Sequence, residues 1–486
     1  MIGTHTLTHN DDQTIIAHCT PKGPGALALL RMSGTHARDI AAAMSLLPAK
    51  KSILTVPTHT IHYGWIVLRP VRQAQGQDDR GPIHGEAQAG RTSEPVIDQV
   101  MFMVMDGPAT FTGQNVIEIT CHNNQFIIDQ IIELAIHHGA RLAQHGEFTK
   151  RAVLNNKVDL LQAEAINDLI HAQTPLALKK SLSQLKGSLS QWSQAIETEL
   201  FRILAFCEAS FEFIDEEITF DKEIRSALRS VRSMITDVKK TYSSQQQIKE
   251  GFRVALLGSV NAGKSSIFNA LLSKQRAIVT NKAGTTRDVL EDALYKDGIY
   301  WTIVDTAGLR TTDDEIEQEG IKRSFIESQT ADVIILVCDG TRSLSQEESA
   351  IYEQLIKSYE NKVIVIENKA DQGIVIERNL SYKPALRISA HQPETIQALE
   401  SLIEQRITRL SSNMDAPFLL NKRQFSLLIE LERKLREIET ILNGPIQYEI
   451  LSHHLNDALA HVSELTGKSI SERGMDAIFK QFCVGK

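Results

Sequence analysis

Gly258-Ser259-Val260-Asn261-Ala262-Gly263-Lys264-Ser265 is a complete phosphate-binding loop. It follows the apolar run Val254-Ala255-Leu256-Leu257, and residues 266–272 after it read as a helix. Strand, glycine-rich loop and helix form the context this pattern needs. Glycines let backbone N–H groups approach phosphate, and a helix N-terminus adds favourable partial charge. Lys264 then bridges the β- and γ-phosphates, and the Ser265 hydroxyl ligates Mg2+. Ile334-Ile335-Leu336-Val337 is a second short, continuous apolar run. Such runs are what buried parallel strands show. This stretch therefore predicts an α/β nucleotide-binding domain.

The next motifs downstream select the nucleotide. Asp305-Thr306-Ala307-Gly308 follows the strand-like run 301–304. It puts an acidic residue at a strand end for the Mg2+ shell and the Gly308 N–H toward the γ-phosphate. Thr286, in Gly284-Thr285-Thr286-Arg287-Asp288, lies between the two motifs. There a switch threonine reaches Mg2+ only while the γ-phosphate is present. Asn368-Lys369-Ala370-Asp371 follows the run 363–366, and Ser389-Ala390 comes at a spacing suited to a loop over the base. A carboxylate at 371 accepts from guanine N1–H and from the exocyclic amine. Adenine has neither donor and leaves a buried carboxylate unpaired, a loss that can reach ~10⁴-fold. These motifs, in their order along the chain, predict a GTP site. Its expected contacts within these motifs are Asn261, Ala262, Gly263, Lys264, Ser265, Ser266, Gly284, Thr285, Thr286, Asp305, Thr306, Ala307, Gly308, Asn368, Lys369, Asp371, Ser389 and Ala390.

Leu309 stands where small signalling GTPases carry a water-orienting glutamine. Leucine cannot orient water, so another group has to. Asn261 is a candidate ligand for a monovalent cation, whose charge would replace an arginine finger. Capping or tightening of the loop is the other role open to it. Asp313, Asp314, Glu315, Glu317 and Glu319 form an acidic run, which on composition alone reads as a solvated face.

Outward from this block the period changes. Ile224, Leu228, Val231, Ile235, Val238 and Tyr242 alternate by four and three, one face of a long helix. Helical spacing resumes at Leu428, Leu431, Leu435, Ile438 and Leu442. A last helix is predicted through Leu451, Leu455, Leu459 and Val462 to Gly467. Two helical blocks flanking one α/β block suggest a GTPase domain inserted into a split helical bundle; three consecutive domains are the alternative. The first ~155 residues are mixed, with strands at 26–32 and 100–105 and a helix at 126–137. Residues 73–94 are rich in Gly, Gln and Asp and predict a mobile surface insertion.

Composition adds limits. The 486 residues carry a formal net charge of −8, so no general attraction to nucleic acid or anionic membrane follows. No apolar run of about 18 residues predicts a membrane span, and residues 1–10 lack a signal-peptide layout. Cys19, Cys121, Cys207, Cys338 and Cys483 are scattered without a Cys-x-x-Cys pair. That spacing indicates neither a disulfide framework nor a zinc site, and it suits a reducing cytoplasm. Cys483, in Cys483-Val484-Gly485-Lys486, reads either as a nucleophile or as a semi-buried hydrophobe beside Phe479 and Phe482. Arg31, at the end of an apolar strand after the glycine-rich turn 20–25, could bind an acidic small molecule. Glu118, His122, Lys157 and Glu164 are further polar residues in apolar surroundings.

Taken together these segments resemble one family, the MnmE (TrmE) tRNA modification GTPases. The resemblance spans nearly the whole chain. It rests on Thr20-Pro21, Arg31-Met32-Ser33-Gly34, Thr110-Phe111-Thr112-Gly113, Gly146-Glu147-Phe148-Thr149, the 154–160 and 162–166 blocks, the GTPase motifs and the Cys483–Lys486 tail. It implies a mixed α+β folate-binding and dimerising domain at 1–155 and a helical domain in two halves, 156–250 and 411–486. A Ras-like P-loop GTPase domain at 251–410 would be inserted between them. It further implies a homodimer that joins the flavoprotein MnmG (GidA) in a heterotetramer and acts on tRNA. Such proteins add an aminomethyl or carboxymethylaminomethyl group at C5 of the wobble uridine. The one-carbon unit comes from a tetrahydrofolate derivative (5-formyl- or 5,10-methylene-). By motif, Arg31, Glu118, Lys157 and Lys486 match folate-contacting positions. Asn261, Thr280, Lys282 and Thr285 match a K+ site, Thr280, Asn281, Lys282 and Ala283 the switch loop that contacts GTP, Ser265 and Thr286 the Mg2+ ligands, and Glu317 the residue that orients water. Lys264 and Cys483 complete the implied catalytic set.

The chain departs from relatives at Asn123-Asn124, where Gly-Gly is usual. It also lacks an acidic pair after Gly113, and it has Lys282 in place of an apolar residue. A ribosome-assembly switch GTPase of the Era-like class is the competing expectation. It requires a basic RNA-binding domain after the GTPase domain, whereas the residues after Asn421 read as a mixed-charge amphipathic helix.

Overall fold

The computed structural model describes residues 13–68, 95–212, 220–273, 290–296, 299–305, 328–373, 383–411, 416–444 and 447–485. The chain forms two compact units, one from 1–167 with 462–486 and one from 168–461. The predicted 73–94 insertion lies outside the described residues.

In the first unit, β1 (Ile15–His18), β2 (Leu27–Ser33), β3 (Ser45–Leu46), β4 (Thr60–Val67), β5 (Val96–Met105), β6 (Val116–His122) and β7 (Arg141–Leu142) build a sheet of order β3-β4-β5-β6-β2-β1-β7. All pairings are antiparallel except β1 with β7. Period-two alternation sorts β5: Val100, Phe102 and Val104 are buried, while Met101 is 47% exposed. The buried face packs on α1 (Ala37–Ala43) and α2 (Gln125–His137) through Ile40, Ile128 and Ile131. Two further helices, α3 (Glu147–Leu154) and α4 (Leu160–Ile170), follow.

In the second unit, α5 (Pro175–Leu185), α6 (Ser188–Glu212), α7 (Asp221–Lys240) and α8 (Tyr242–Glu250) precede the α/β block. Ile224, Leu228, Val231, Ile235 and Val238 are all buried on α7, as their spacing predicts. The long helix does not extend to Tyr242, however. It breaks at Thr241, and Tyr242 opens α8 with its ring stacked on Phe425.

The α/β block is a six-stranded sheet of β8 (Phe252–Gly258), β9 (Leu290–Lys296), β10 (Ile299–Asp305), β11 (Val333–Asp339), β12 (Val363–Asn368) and β13 (Leu386–Arg387). Its order is β13-β12-β11-β8-β10-β9, parallel throughout except for the β9–β10 hairpin. This is the Ras-like P-loop arrangement. Helices α9 (Lys264–Ser273), α10 (Gln346–Ser358) and α11 (Pro393–Ser411) cover it.

The chain then returns to the helical half. The segment around Leu419 and Leu420 is buried and non-helical, so its amides need side-chain partners. Gln184 Oε1 accepts from Leu419 N–H at 2.9 Å, and Gln245 Oε1 from Leu420 N–H at 2.7 Å. Next, α12 (Lys422–Leu442) buries Leu428, Leu431, Leu435, Ile438 and Leu442, and pairs Glu432 with Lys239 and Glu439 with Arg232 of α7. The helical bundle is therefore split in sequence, with the GTPase domain inserted.

After α13 (Tyr448–Thr466) comes α14 (Glu472–Phe479), which the hydrophobic period did not reveal. It has eight residues and buries only Met475 and Phe479, one i,i+4 pair. These two join Phe482 against Leu160 and Ala163 in the first unit.

Candidate functional site

The phosphate loop is built by close approach. Gly258 ends β8 at φ +152°, and a Cβ there would lie 2.4 Å from the Val337 carbonyl of the neighbouring β11. Gly263, at φ +92°, would place a Cβ 2.1 Å from Asn368 Nδ2. Asn368 donates from Nδ2 to the Ala262 carbonyl at 2.9 Å, so the base motif and the phosphate loop touch directly. Asn261 sits at φ +63°, a left-handed position that asparagine tolerates better than most side chains, and it is exposed. Lys264 is 7% exposed, and its ammonium donates to the Gly258 and Ser259 carbonyls at 2.7 and 2.8 Å. Ser265 and Ser266 are exposed in the first turn of α9. Asp305 ends β10, whose partner β8 leads into the loop. Thr280, Asn281, Lys282, Ala283, Gly284, Thr285, Thr286, Thr306, Ala307, Gly308, Leu309 and Glu317 lie outside the described residues.

At the base end, Lys369 adopts φ +64° and pairs its ammonium with Asp339 at 2.7 Å. Burial works against ionisation of Asp339. Hydrogen bonds from Lys369 and Thr341 outweigh it and hold the carboxyl below its ordinary range. The Ser389 hydroxyl bonds the Asp371 carboxylate and likewise keeps it low. Ser389 is itself fixed by Thr395 and by the His391 amide. Asp371 stands exposed in a short turn beyond the end of β12.

Sequence reasoning missed the flank of the phosphate loop. The Tyr352 hydroxyl accepts from Ser259 N–H at 2.7 Å and donates to the Val337 carbonyl at 3.1 Å; burial pushes its phenol up to about 12. Arg342 donates to Ser259 Oγ at 3.2 Å and makes a two-pronged pair with Glu348 at 2.8 and 2.6 Å. That guanidinium lowers the Glu348 carboxyl to about 2. The available signals were Asp339-Gly340-Thr341-Arg342 after an apolar run and the Ser345/Glu348 capping box.

In the first unit, Arg31 and Glu118 are cross-strand partners on β2 and β6, paired at 2.7 Å with side chains 20% and 14% exposed. The Phe148 ring lies 5.7 Å below the guanidinium. Lys157 donates to the Pro108 carbonyl at 2.8 Å, and none of its described contacts reaches that pair. His122 is oriented by buried Asp98, which accepts from both its ring Nδ1 and its backbone N–H at 2.8 Å.

The tail of the chain docks beside Arg31. Its Gly485 carbonyl accepts from Arg31 Nη1 at 3.4 Å and from the Cys19 thiol at 3.3 Å. The His145 ring Nδ1 meets the Phe482 carbonyl at 3.0 Å, Gly146 N–H donates to the Cys483 carbonyl at 3.3 Å, and His145 bridges Val484. Phe479 and Phe482 are buried, but Cys483 is exposed, so it is not the semi-buried hydrophobe of the second expectation. Lys486 lies outside the described residues.

Residues 14–157 match the family described as GTP-binding protein TrmE N-terminus, and residues 160–483 match the MnmE helical domain. The chain is similar to the tRNA modification GTPase MnmE of Bacillus subtilis (strain 168), at 34% identity over 97% of this chain and 100% of that protein. It is also similar to the proteins of the same name from Acetivibrio thermocellus, at 33% over 98% and 99%, and from Cytophaga hutchinsonii, at 32% over 100% of both.

Proposed function

The chain belongs to the MnmE (TrmE) family of tRNA modification GTPases, and from that premise we propose how its residues serve the reaction. It is a GTP-hydrolysing enzyme of tRNA modification. The observation that carries the GTP reading is the contact of Asn368 on the phosphate loop, with the ionised Asp371 carboxylate beyond it in the same motif. The residues present suit a triphosphate: the loop's glycines let its backbone pack against Val337 and Asn368 where a Cβ would clash, and the Lys264 ammonium is held at the loop by the Gly258 and Ser259 carbonyls.

Lys264 holds the β- and γ-phosphates, and Asp371 reads guanine. Ser265 and Thr286 would hold Mg2+, which when bound supplies positive charge to the phosphate oxygens. Asn261, exposed and left-handed at the loop's apex, suits a K+ ligand together with Thr280, Lys282 and Thr285. Such a cation supplies the charge an arginine finger gives elsewhere. Glu317 takes over the orientation of water that Leu309 cannot perform. GTP turnover is therefore expected to be at least about tenfold faster in K+ than in Na+ buffer. Equal rates would remove the cation from the mechanism.

The half-buried Arg31–Glu118 pair offers a planar cation and a carboxylate beside an aromatic ring. Those groups suit a folate, which carries a heteroaromatic ring with adjacent donors and a glutamate. With Lys157 and Lys486 they would bind the tetrahydrofolate derivative that supplies the one-carbon unit. The exposed sheet face of Ile61 (58%), Tyr63 (47%) and Met101 (47%) supports a homodimer, since apolar strips of this kind usually meet a partner. The homodimer would act with a flavoprotein of the MnmG type on the wobble uridine of tRNA in the cytoplasm. Among the described residues no helix is long and apolar enough to cross a membrane.

The Era-like alternative loses its support at α12, where both charge signs interleave and the helix packs on α7. A bacterial strain deleted for its own member of the family and carrying this chain is expected to regain C5-modified wobble uridine by tRNA mass spectrometry. Unmodified tRNA with corrected ribosomal subunits would instead favour the alternative.

A further inference from the structure

We propose that Arg342 is a positioning residue that clamps the phosphate loop from its outer flank and so sets how long nucleotide stays bound. The proposal rests on the GTP reading above and extends it to a residue outside every motif of the site. Ser259 is the node. Its N–H goes to the Tyr352 hydroxyl at 2.7 Å, its carbonyl to Lys264 at 2.8 Å, and its hydroxyl to Arg342 at 3.2 Å. Whenever the Lys264 ammonium engages phosphate instead, Ser259 keeps its outer bonds to Tyr352, Arg342 and Glu348. Arg342 precedes α10, and Tyr352 and Glu348 lie on it.

Arg342 is held for this task. A surface arginine on a single contact would lose too much side-chain entropy to act as a fixed strut. Here both prongs of its fork are occupied by Glu348, at 2.8 and 2.6 Å. That two-pronged geometry fixes direction as well as distance. Glu348 is in turn locked by the capping box at Ser345. On its other side Arg342 lies 4.0 Å from Asp339, whose carboxylate holds Lys369 of the base motif. A continuous polar chain therefore runs from the guanine-reading loop through Asp339, Arg342 and Ser259 to Lys264. Its anchor is the start of a helix, a rigid element.

The test is stopped-flow displacement of N-methylanthraniloyl-GDP from the full chain with Mg2+ present. Arg342→Ala is expected to release the probe about tenfold faster, at the low end for a charge-assisted hydrogen bond because Arg342 is 42% exposed, while the association rate stays within twofold. Arg342→Lys should fall between, since an ammonium is a point charge that cannot span Glu348 and Ser259 together. Ser259→Ala should match Arg342→Ala, and the double variant should be no faster than either single one. Release within twofold of the parent in Arg342→Ala, or additive effects in the double variant, overturns the clamp. If Arg342→Ala fails to fold by circular dichroism, Ser259→Ala decides the matter by the same criterion. A parent protein that does not bind the probe at all refutes the GTP reading itself, a different result from an unchanged release rate.

Discussion

Asp371→Asn is expected to weaken GTP binding by about 10³-fold and to make xanthosine triphosphate the better ligand. The ionised carboxylate accepts two hydrogens from guanine, one from N1–H and one from the exocyclic amine at C2. An asparagine keeps one acceptor and turns the other oxygen into an NH2 donor. Facing the amine, that donor meets a donor, and both groups lose their partner. Xanthine has a carbonyl at C2, so the same amide now finds an acceptor there and still accepts from N1–H. The loss sits below the ~10⁴ limit for buried polar groups because the asparagine keeps one of the two acceptors. Ser389 holds the carboxylate ionised, so the preference for guanine should hold across the neutral range. Competition of GTP and xanthosine triphosphate against a labelled diphosphate measures both effects. GTP binding within tenfold of the parent, with no gain for the xanthine nucleotide, would remove Asp371 as the base reader.

The parts legible in the sequence are those governed by short-range rules. The phosphate loop, the base motif and the strands leading to them are contiguous stretches, and the structure has them where the pattern places them. Periodicity located α7 and α12 because each presents at least five buried apolar residues on one face. It overran at Tyr242, whose side chain is also apolar and in phase, since a break at Thr241 leaves no mark on a hydrophobic pattern. It missed α14, which is too short for a period to repeat. At the site, the residues missed are those whose role depends on distant partners. Ser259 and Arg342 are 83 positions apart, and nothing local in either segment announces the bond between them. Arg31 and Glu118, 87 apart, were each singled out from the sequence, but only the family resemblance joined them in one site. Their pairing follows from antiparallel register, which one strand alone does not disclose.

Gly146→Ala should undock the tail and lower wobble-uridine modification by about 10²-fold, with GTP turnover within twofold of the parent. Gly146 has φ +65°, where an alanine pays ~1–2 kcal/mol of backbone strain. Its Cβ would also sit 2.7 Å from the Phe479 carbonyl and 2.9 Å from Phe482 Cβ, both of them in the segment that carries the tail. Neither a backbone carbonyl nor a Cβ can rotate away, so the segment has to move, at ~1–3 kcal/mol typical of overpacking. That movement breaks the Gly146–Cys483 hydrogen bond and draws Gly485 from Arg31. Gly139→Ala separates the two causes. Gly139 is strained as well, at φ +103°, but nothing lies within 4 Å of its Cβ position. It should cost stability without touching modification. Cys483→Ser leaves the docking bonds in place, because the tail makes them through its backbone groups, and it tests whether the docked thiol does chemistry. If Gly146→Ala and Cys483→Ser lose modification alike while Gly139→Ala keeps it, the tail acts by presenting Cys483 beside Arg31. If Gly146→Ala modifies tRNA as well as Gly139→Ala does, docking of the tail is not required. Cys483 must then work from some other position.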